Sequence, residues 1–231
     1  MPNELIVWSM VRYLTEIGGP AWRDQDFATR DIVKIVKGQP FNGYFEITVG
    51  GKKRRFDQNN GQDLLPSIYG GAAKKISTLI QGNFCIVPIP NSEATIADRA
   101  SFRTLEHATG IASKVSGNNR AKALDALRWK RAKEKAHQGG GRNPDAHFDN
   151  LGITEKPDIP VVLFDDVLTT GSQLIGAYRR LAKTGIVPVA AIVVGRTTHD
   201  QHEHMIGWQQ EQLETERQRV DLSGILDRLQ S

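Results

Sequence analysis

Residues 161–174 read VVLFDDVLTTGSQL. Four apolar residues run into the adjacent acids Asp165 and Asp166. Two more apolar residues lead to Thr169-Thr170-Gly171-Ser172, and a helical pattern follows. Burying a carboxylate is costly unless something neutralises it, so a strand that serves only the core has no use for two. Working outward, residues 84–90 (FCIVPIP) form a short apolar run closed by prolines, and 97–115 have helical spacing. A helix over 172–184 stops at Gly185. VPVAAIVV (187–194) then reads as a strand reaching Gly195-Arg196-Thr197. Continuous apolar strands alternating with helices predict an α/β fold whose parallel sheet is covered on both faces. Such sheets place ligands at the carboxyl ends of their strands. The acid pair stands at one such end, and the turn Pro88-Ile89-Pro90-Asn91-Ser92 stands at another.

The flanks read differently. Leu5, Trp8, Val11, Leu14 and Ile17 have a helical period, so the spacing predicts a helix over 3–18, stopped by Gly18-Gly19-Pro20. A second short helix is expected over 24–37. A β-hairpin follows, with strands 44–49 and 52–56 around Gly50-Gly51, and then a helix over 64–80. Residues 120–137 read as a strongly basic helical stretch, and 209–218, nearly all polar, predict an exposed helix. Leu222, Ile225, Leu226 and Leu229 form a short apolar stripe, suited to docking on the core or to a homodimer contact. The expected organisation is an N-terminal α+β extension over 1–82, containing the hairpin and packed on the core. A core over 83–200 carries a basic flexible loop at 117–150, and a helical tail covers 201–231.

With 231 residues, 39% hydrophobic and 24% charged, the chain has the composition of an ordinary globular protein. No stretch approaches a membrane span, and the N-terminus has no secretory pattern, so a cytoplasmic protein is expected. The single cysteine, Cys85, excludes an internal disulfide framework and a multi-cysteine zinc site. Charge is unevenly placed. Residues 114–142 hold nine Lys/Arg against Asp125 and Glu134, a segment charge of +7 in a chain of net +4. That segment points to an anionic ligand: phosphate, pyrophosphate or nucleic acid.

The turn after the acids has its own chemistry. A helix start offers free N–H groups and the positive end of a dipole, which attract an anion. Gly171 lets the backbone approach a phosphate or take a positive φ, and the hydroxyls add donors. The acids suit sugar hydroxyls, or a Mg²⁺ ion bridging hydroxyls and phosphates. Acids for a ribose followed by a cradle for its 5-phosphate describe a ribose-5-phosphate site. A Walker B strand is the main rival, but it needs G-x-x-x-x-G-K-[ST], and GQPFNGY (38–44) lacks the Lys. A receiver-domain phosphoacceptor would need an upstream acid pair after a first strand, which is missing.

VVLFDDVLTTGSQL resembles the phosphoribosyl-pyrophosphate (PRPP) signature of the type I phosphoribosyltransferases. The match spans about thirteen positions, and the resemblance covers roughly residues 83–197. It implies a Mg²⁺-dependent transferase that moves ribose-5-phosphate to an acceptor and releases pyrophosphate. It also implies that Asp165 and Asp166 contact the ribose hydroxyls, directly or through Mg²⁺ or water. Val167, Leu168, Thr169, Thr170, Gly171 and Ser172 would wrap the 5-phosphate. The pyrophosphate loop of this family corresponds to Pro90, Asn91 and Ser92, with Arg99 and Arg103 supplying cations. The Pro-Ile-Pro turn is similar to the ComF-like branch, although one cysteine cannot build the zinc finger with which that branch often begins. The basic segment occupies the place of the family's flexible active-site loop. Lys133, Lys135, His137 and Arg142 would then face the leaving group, with Gly139–Gly141 as hinge. Other readings of the segment stay open: a solvated surface, or nucleic-acid binding with Trp129 stacking on a base. Non-catalytic relatives keep the same fold, so a PRPP- or nucleotide-sensing protein is the alternative. HDQHEH (199–204) reads as a polar turn or a metal site, and Arg196 to His199 as acceptor contacts.

Overall fold

The computed structural model describes residues 3–15, 21–132 and 143–216. Its centre is a six-stranded sheet. In chain order the strands are β1 (Glu4–Leu14), β4 (Asn83–Pro88), β5 (Arg120–Ala123), β8 (Val161–Leu168), β9 (Ala190–Thr198) and β10 (Ile206–Glu214). Across the sheet they lie β10-β1-β9-β8-β4-β5. All neighbours are parallel except β10, which pairs antiparallel with β1. The hairpin β2 (Tyr44–Val49) and β3 (Lys52–Asp57) stands apart, as does the small ladder β6 (Leu127–Trp129) with β7 (Leu151–Ile153).

Helices cover both faces. On one lie α1 (Asp24–Val36), α2 (Leu65–Leu79) and α3 (Arg103–Ala112), which bury Val162, Phe164, Ile192 and Val194 of the sheet. On the other lies α5 (Ser172–Ala182), packed against α4 (Pro144–Asn150) and covering Val161, Leu163, Ala191 and Val193. Both faces of the central strands are therefore buried, as their unbroken apolar runs require.

Three expectations are corrected. Residues 4–14 form a strand, not a helix. Leu5, Val7, Ser9 and Val11 are buried; Leu5 and Val7 pack with the α5 cluster, whereas Trp8, Met10 and, past a bulge, Val11 pack with the α1–α3 cluster. The strand carries apolar side chains on both faces, and a two-sided strand holds enough apolar residues to imitate a helical period. β1 is consequently part of the central sheet rather than of an N-terminal extension. Residues 206–214 also form a strand. It is the outer edge of the sheet, where polar side chains suit a ladder with one exposed side. The basic stretch 120–132 is β5, β6 and their connections rather than a helix. Its Arg128 and Trp129 are among the largest fully buried side chains. The hairpin and α1, α2 and α5 stand close to the expected positions, whereas α3 begins later than expected, at Arg103.

One row of the sheet is irregular. Pairing between β1, β9 and β8 skips Met10, Val194 and Asp166, which share that row. Below it Val162 and Phe164 face α1–α3. Above it Val167 takes that face, and Leu168 turns toward α5. The alternation therefore changes phase at Asp165-Asp166. The backbone N–H of Asp166 is donated to Asp165 Oδ1 at 2.8 Å.

Candidate functional site

The acid pair lies at the carboxyl end of β8, in the centre of the sheet. Asp165 is buried. Burial first, and the negative charge of Asp166 second, push its carboxyl well above the usual carboxylate range. Asp166 is less enclosed and pairs with Arg103 Nη2 at 3.3 Å. α3 carries that arginine on its first turn. One turn later His107 anchors the helix from both ring nitrogens. Its Nε2 meets the Val36 carbonyl at 2.8 Å, which only accepts, so Nε2 holds the proton and Nδ1 accepts from the Tyr69 hydroxyl at 2.8 Å. Burial holds the His107 imidazole below its usual range.

The turn 169–171 exposes Thr169 and Thr170 and leads directly into α5. Gly171 is the N-cap of that helix with φ 78°, in the left-handed region. A Cβ there would lie 2.6 Å from Leu213 Cδ1 of β10. Glycine is therefore required twice, by conformation and by contact. Thr170 Oγ1 accepts from the Ser172 amide at 3.4 Å and donates to Ser172 Oγ at 3.1 Å. Val167 and Leu168 belong to the strand, and their side chains pack into the two cores. Only their backbone is left to meet a ligand. Arg196 of β9 donates to the Thr169 carbonyl and is held by Glu211 at 2.9 Å.

The third wall is the segment after β4. Ile89 N–H bonds the Phe164 carbonyl at 2.8 Å, and Thr104 Oγ1 donates to the Ile89 carbonyl at 2.5 Å. Trp129 Nε1 lies 3.0 Å from the carbonyls of both Pro90 and Asn91. Buried Arg128 pairs with Asp125 at 2.7 Å and donates to the carbonyls of Thr95, Asp98 and Ala100. Residues of the basic segment thus staple this loop from below. Trp129 is fully buried and cannot stack on a base, which removes that one contact. Asn91, Ser92 and Arg103 line a cavity of about 580 Å³ together with Gln39 and Phe102. Arg99 is exposed on the loop above. Lys133, Lys135, His137, Gly139–Gly141 and Arg142 lie outside the described residues, as does the stripe at 222–229.

The structure adds Tyr13 to the site. Gly195 has no side chain, and a Cβ there would meet Val33 at 2.6 Å and the Tyr13 ring at 3.3 Å. The phenol of β1 occupies that gap in β9. Burial and the charge of Asp166 push its hydroxyl up to about 12, so it stays a neutral donor. Reading β1 as a helix hid this residue.

Two adjacent carboxylates and nearby hydroxyls form a hard oxygen donor set, which suits Mg²⁺, a cation that keeps several of its waters. Two carboxylates there face the single guanidinium of Arg103, and a cation or hydroxyl donors would balance the second. Among the described residues no group of three or more His, Cys, Asp or Glu gathers to hold a metal ion, at the acid pair or around the 199–204 histidines. No helix there is long and apolar enough to cross a membrane.

No family model matches the chain, and no curated protein matches it. Among solved structures, a hypoxanthine phosphoribosyltransferase from Staphylococcus aureus is similar at 9% identity and a TM-score of 0.34, over 63% of this chain and 71% of that one. Leishmania donovani UMP synthase is 15% identical with a TM-score of 0.33, over 74% of this chain and 32% of that one. Mycobacterium tuberculosis orotate phosphoribosyltransferase, in complex with Fe(III) dicitrate, is 13% identical with a TM-score of 0.28, over 76% of this chain and 83% of that one.

Proposed function

We propose that this chain is a phosphoribosyltransferase of the type I, ComF-like kind, binding PRPP with Mg²⁺ at the carboxyl edge of β8. One observation carries the reading. The acid pair lies at the irregular row near the carboxyl end of β8, and five residues after Asp166 a left-handed Gly171 caps α5. Carboxylates that accept from ribose hydroxyls are thereby followed, on one continuous segment, by a helix N-terminus that receives a phosphate. Asp165 and Asp166 accept from the 2- and 3-hydroxyls, or hold the Mg²⁺ that neutralises oxygens of the pyrophosphate. Thr169, Thr170 and Ser172 donate to the 5-phosphate. Arg103 positions Asp166 and faces the pyrophosphate side, with Asn91 and Ser92. The acids have one further function: positive charge on the anomeric carbon, left as pyrophosphate departs, is stabilised by them. Lys133, Lys135 and His137 are the proposed closing cations. The acceptor is a small molecule of unassigned identity.

A second reading is a PRPP- or nucleotide-sensing protein without turnover. It is favoured by the pyrophosphate loop, which has no Lys or Arg between Pro88 and Asp98, while Arg103 is already engaged with Asp166.

Calorimetric titration with PRPP and Mg²⁺ tests both. Wild type should release or absorb heat saturably at high-micromolar protein, and Asp165→Asn/Asp166→Asn should not. Pyrophosphate release with an acceptor from a nucleobase and amine panel identifies the enzyme, and binding without release identifies the sensor. A wild type that takes up no PRPP refutes both readings.

A further inference from the structure

A second polar cavity, of about 200 Å³, lies across β10, β1 and β9, on the far side of β9 from the acid pair. Ser9 and Arg12 enter it from β1, Arg196 and Thr198 from β9, and Gln209 from β10, with His202 from the connecting loop. Arg196 is neutralised by Glu211. Arg12 is not neutralised: its guanidinium donates to His202 Nδ1 at 3.0 Å, a neutral acceptor, and no carboxylate among the described residues pairs with it. His202 Nε2 then carries the ring proton and donates to Thr198 Oγ1 at 3.1 Å. The cavity therefore holds one positive charge in excess, together with the Ser9 hydroxyl, whereas the Thr197 and Thr198 hydroxyls donate to the Leu168 and Asp200 carbonyls. It also holds an unmet acceptor, because Gln209 Oε1 is buried without a partner while its Nε2 donates to the His204 carbonyl. A buried acceptor left without a donor costs stability, so a site that keeps one is matched to something that supplies it.

We propose that this cavity binds a small oxyanion bearing an adjacent O–H or N–H: a hydrogen phosphate, or a carboxylate with a neighbouring donor. The anion lies against Arg12 and the Ser9 hydroxyl, and its O–H or N–H donates to Gln209 Oε1. The site is independent of the ribose-phosphate reading and touches that site through two bonds, from Arg196 to the Thr169 carbonyl and from Thr197 Oγ1 to the Leu168 carbonyl at 3.4 Å.

The test follows the His202 ring resonance, assigned by its loss in His202→Phe, while the full chain is titrated with inorganic phosphate or with acetate. Phosphate should shift it saturably in the millimolar range. Arg12→Gln should weaken phosphate by at least about tenfold, the loss of one charge-assisted hydrogen bond. Arg12→Lys should fall between, and Thr170→Val, in the other phosphate turn, should leave the titration unchanged. Acetate should bind more weakly than phosphate, and Gln209→Leu should remove that preference. No saturable shift, or one abolished by Thr170→Val and kept in Arg12→Gln, overturns the site. Acetate binding as tightly as phosphate overturns the ligand class. Thermal melts of each variant separate lost binding from lost fold.

Discussion

Gly171→Ala separates two constraints that the structure places on one residue. An alanine at φ 78° takes the left-handed conformation at a cost of about 1–2 kcal/mol. Its Cβ also arrives 2.6 Å from Leu213 Cδ1 and 3.1 Å from Leu213 Cδ2. Leu213 is partly buried, and its methyls are the far end of a rotatable side chain. Moving it off its rotamer costs about 0.5–1.5 kcal/mol. The expected total for Gly171→Ala is about 2–3 kcal/mol, measured by urea denaturation with an unchanged m-value. Leu213→Ala in the same background removes the second part and leaves the first. The double mutant should therefore be about 1 kcal/mol more stable than the sum of the single changes. PRPP affinity supplies an independent reading, because the cap conformation aims the amides of 171 and 172. That affinity should fall at least tenfold in Gly171→Ala, about one charge-assisted bond, and should stay low in the double mutant. Single changes that add without coupling would refute the contact. A Gly171→Ala within about 0.5 kcal/mol of wild type would refute the strain as well.

Asp165 has a raised folded-state pKa, so the fold binds its proton more tightly than the unfolded chain does. The stability this confers is full below the ordinary carboxylate range and is lost as pH rises through the folded value. Asp165→Asn should accordingly melt higher than wild type at neutral pH and show a smaller gain at pH near 4, which is checked by a thermal-melt series. His107 has the opposite sign: its folded value is lowered, so stability is lost as pH falls through the ordinary imidazole range. Tyr69→Phe, which leaves Nδ1 of His107 without its donor, should cost about 1–3 kcal/mol at pH 7 by urea denaturation. Arg128→Met removes the cation that gathers Asp125 and three loop carbonyls, and should cost about 3–5 kcal/mol. It should also speed amide hydrogen exchange across 91–100, where an unchanged exchange rate would contradict the stapling role.

What could be read from sequence follows from how local each feature is. β4, β8 and β9 are legible because strands buried on both faces need unbroken apolar runs, and FCIVP, VVLF and AAIVV supply them. The phosphate turn is legible because acids, hydroxyls and glycine lie within one short segment. β1 was not legible as a strand. Its partners are β9 and β10, nearly two hundred residues away, and its two buried faces place Leu5, Trp8, Val11 and Leu14 at a helical interval by coincidence. β10 fails for the converse reason: an edge strand with one open side needs few apolar residues, and QQEQLE offers only Leu213 to the core. Arg128 and Trp129 sit in a run of charge that suggested solvent. Their burial depends on carbonyls of 90–100, and nothing in the local pattern announces it. Tyr13 joins the site only through the gap at Gly195, which is a relation between two strands.

The place of β1 in the sheet also sets an order of events for the chain as it is made. Glu4 registers with Glu214, and Val7 with Ala191, so β1 finds its neighbours only after β9 and β10 have been synthesised. Until then an apolar strand with two naked edges waits in solvent while the β4–β8 half of the sheet assembles without it. Such long-range pairing is slow and open to association with other chains. β1 is thus the strand left longest without partners, and this side of the sheet closes only when β9 and β10 arrive to flank it.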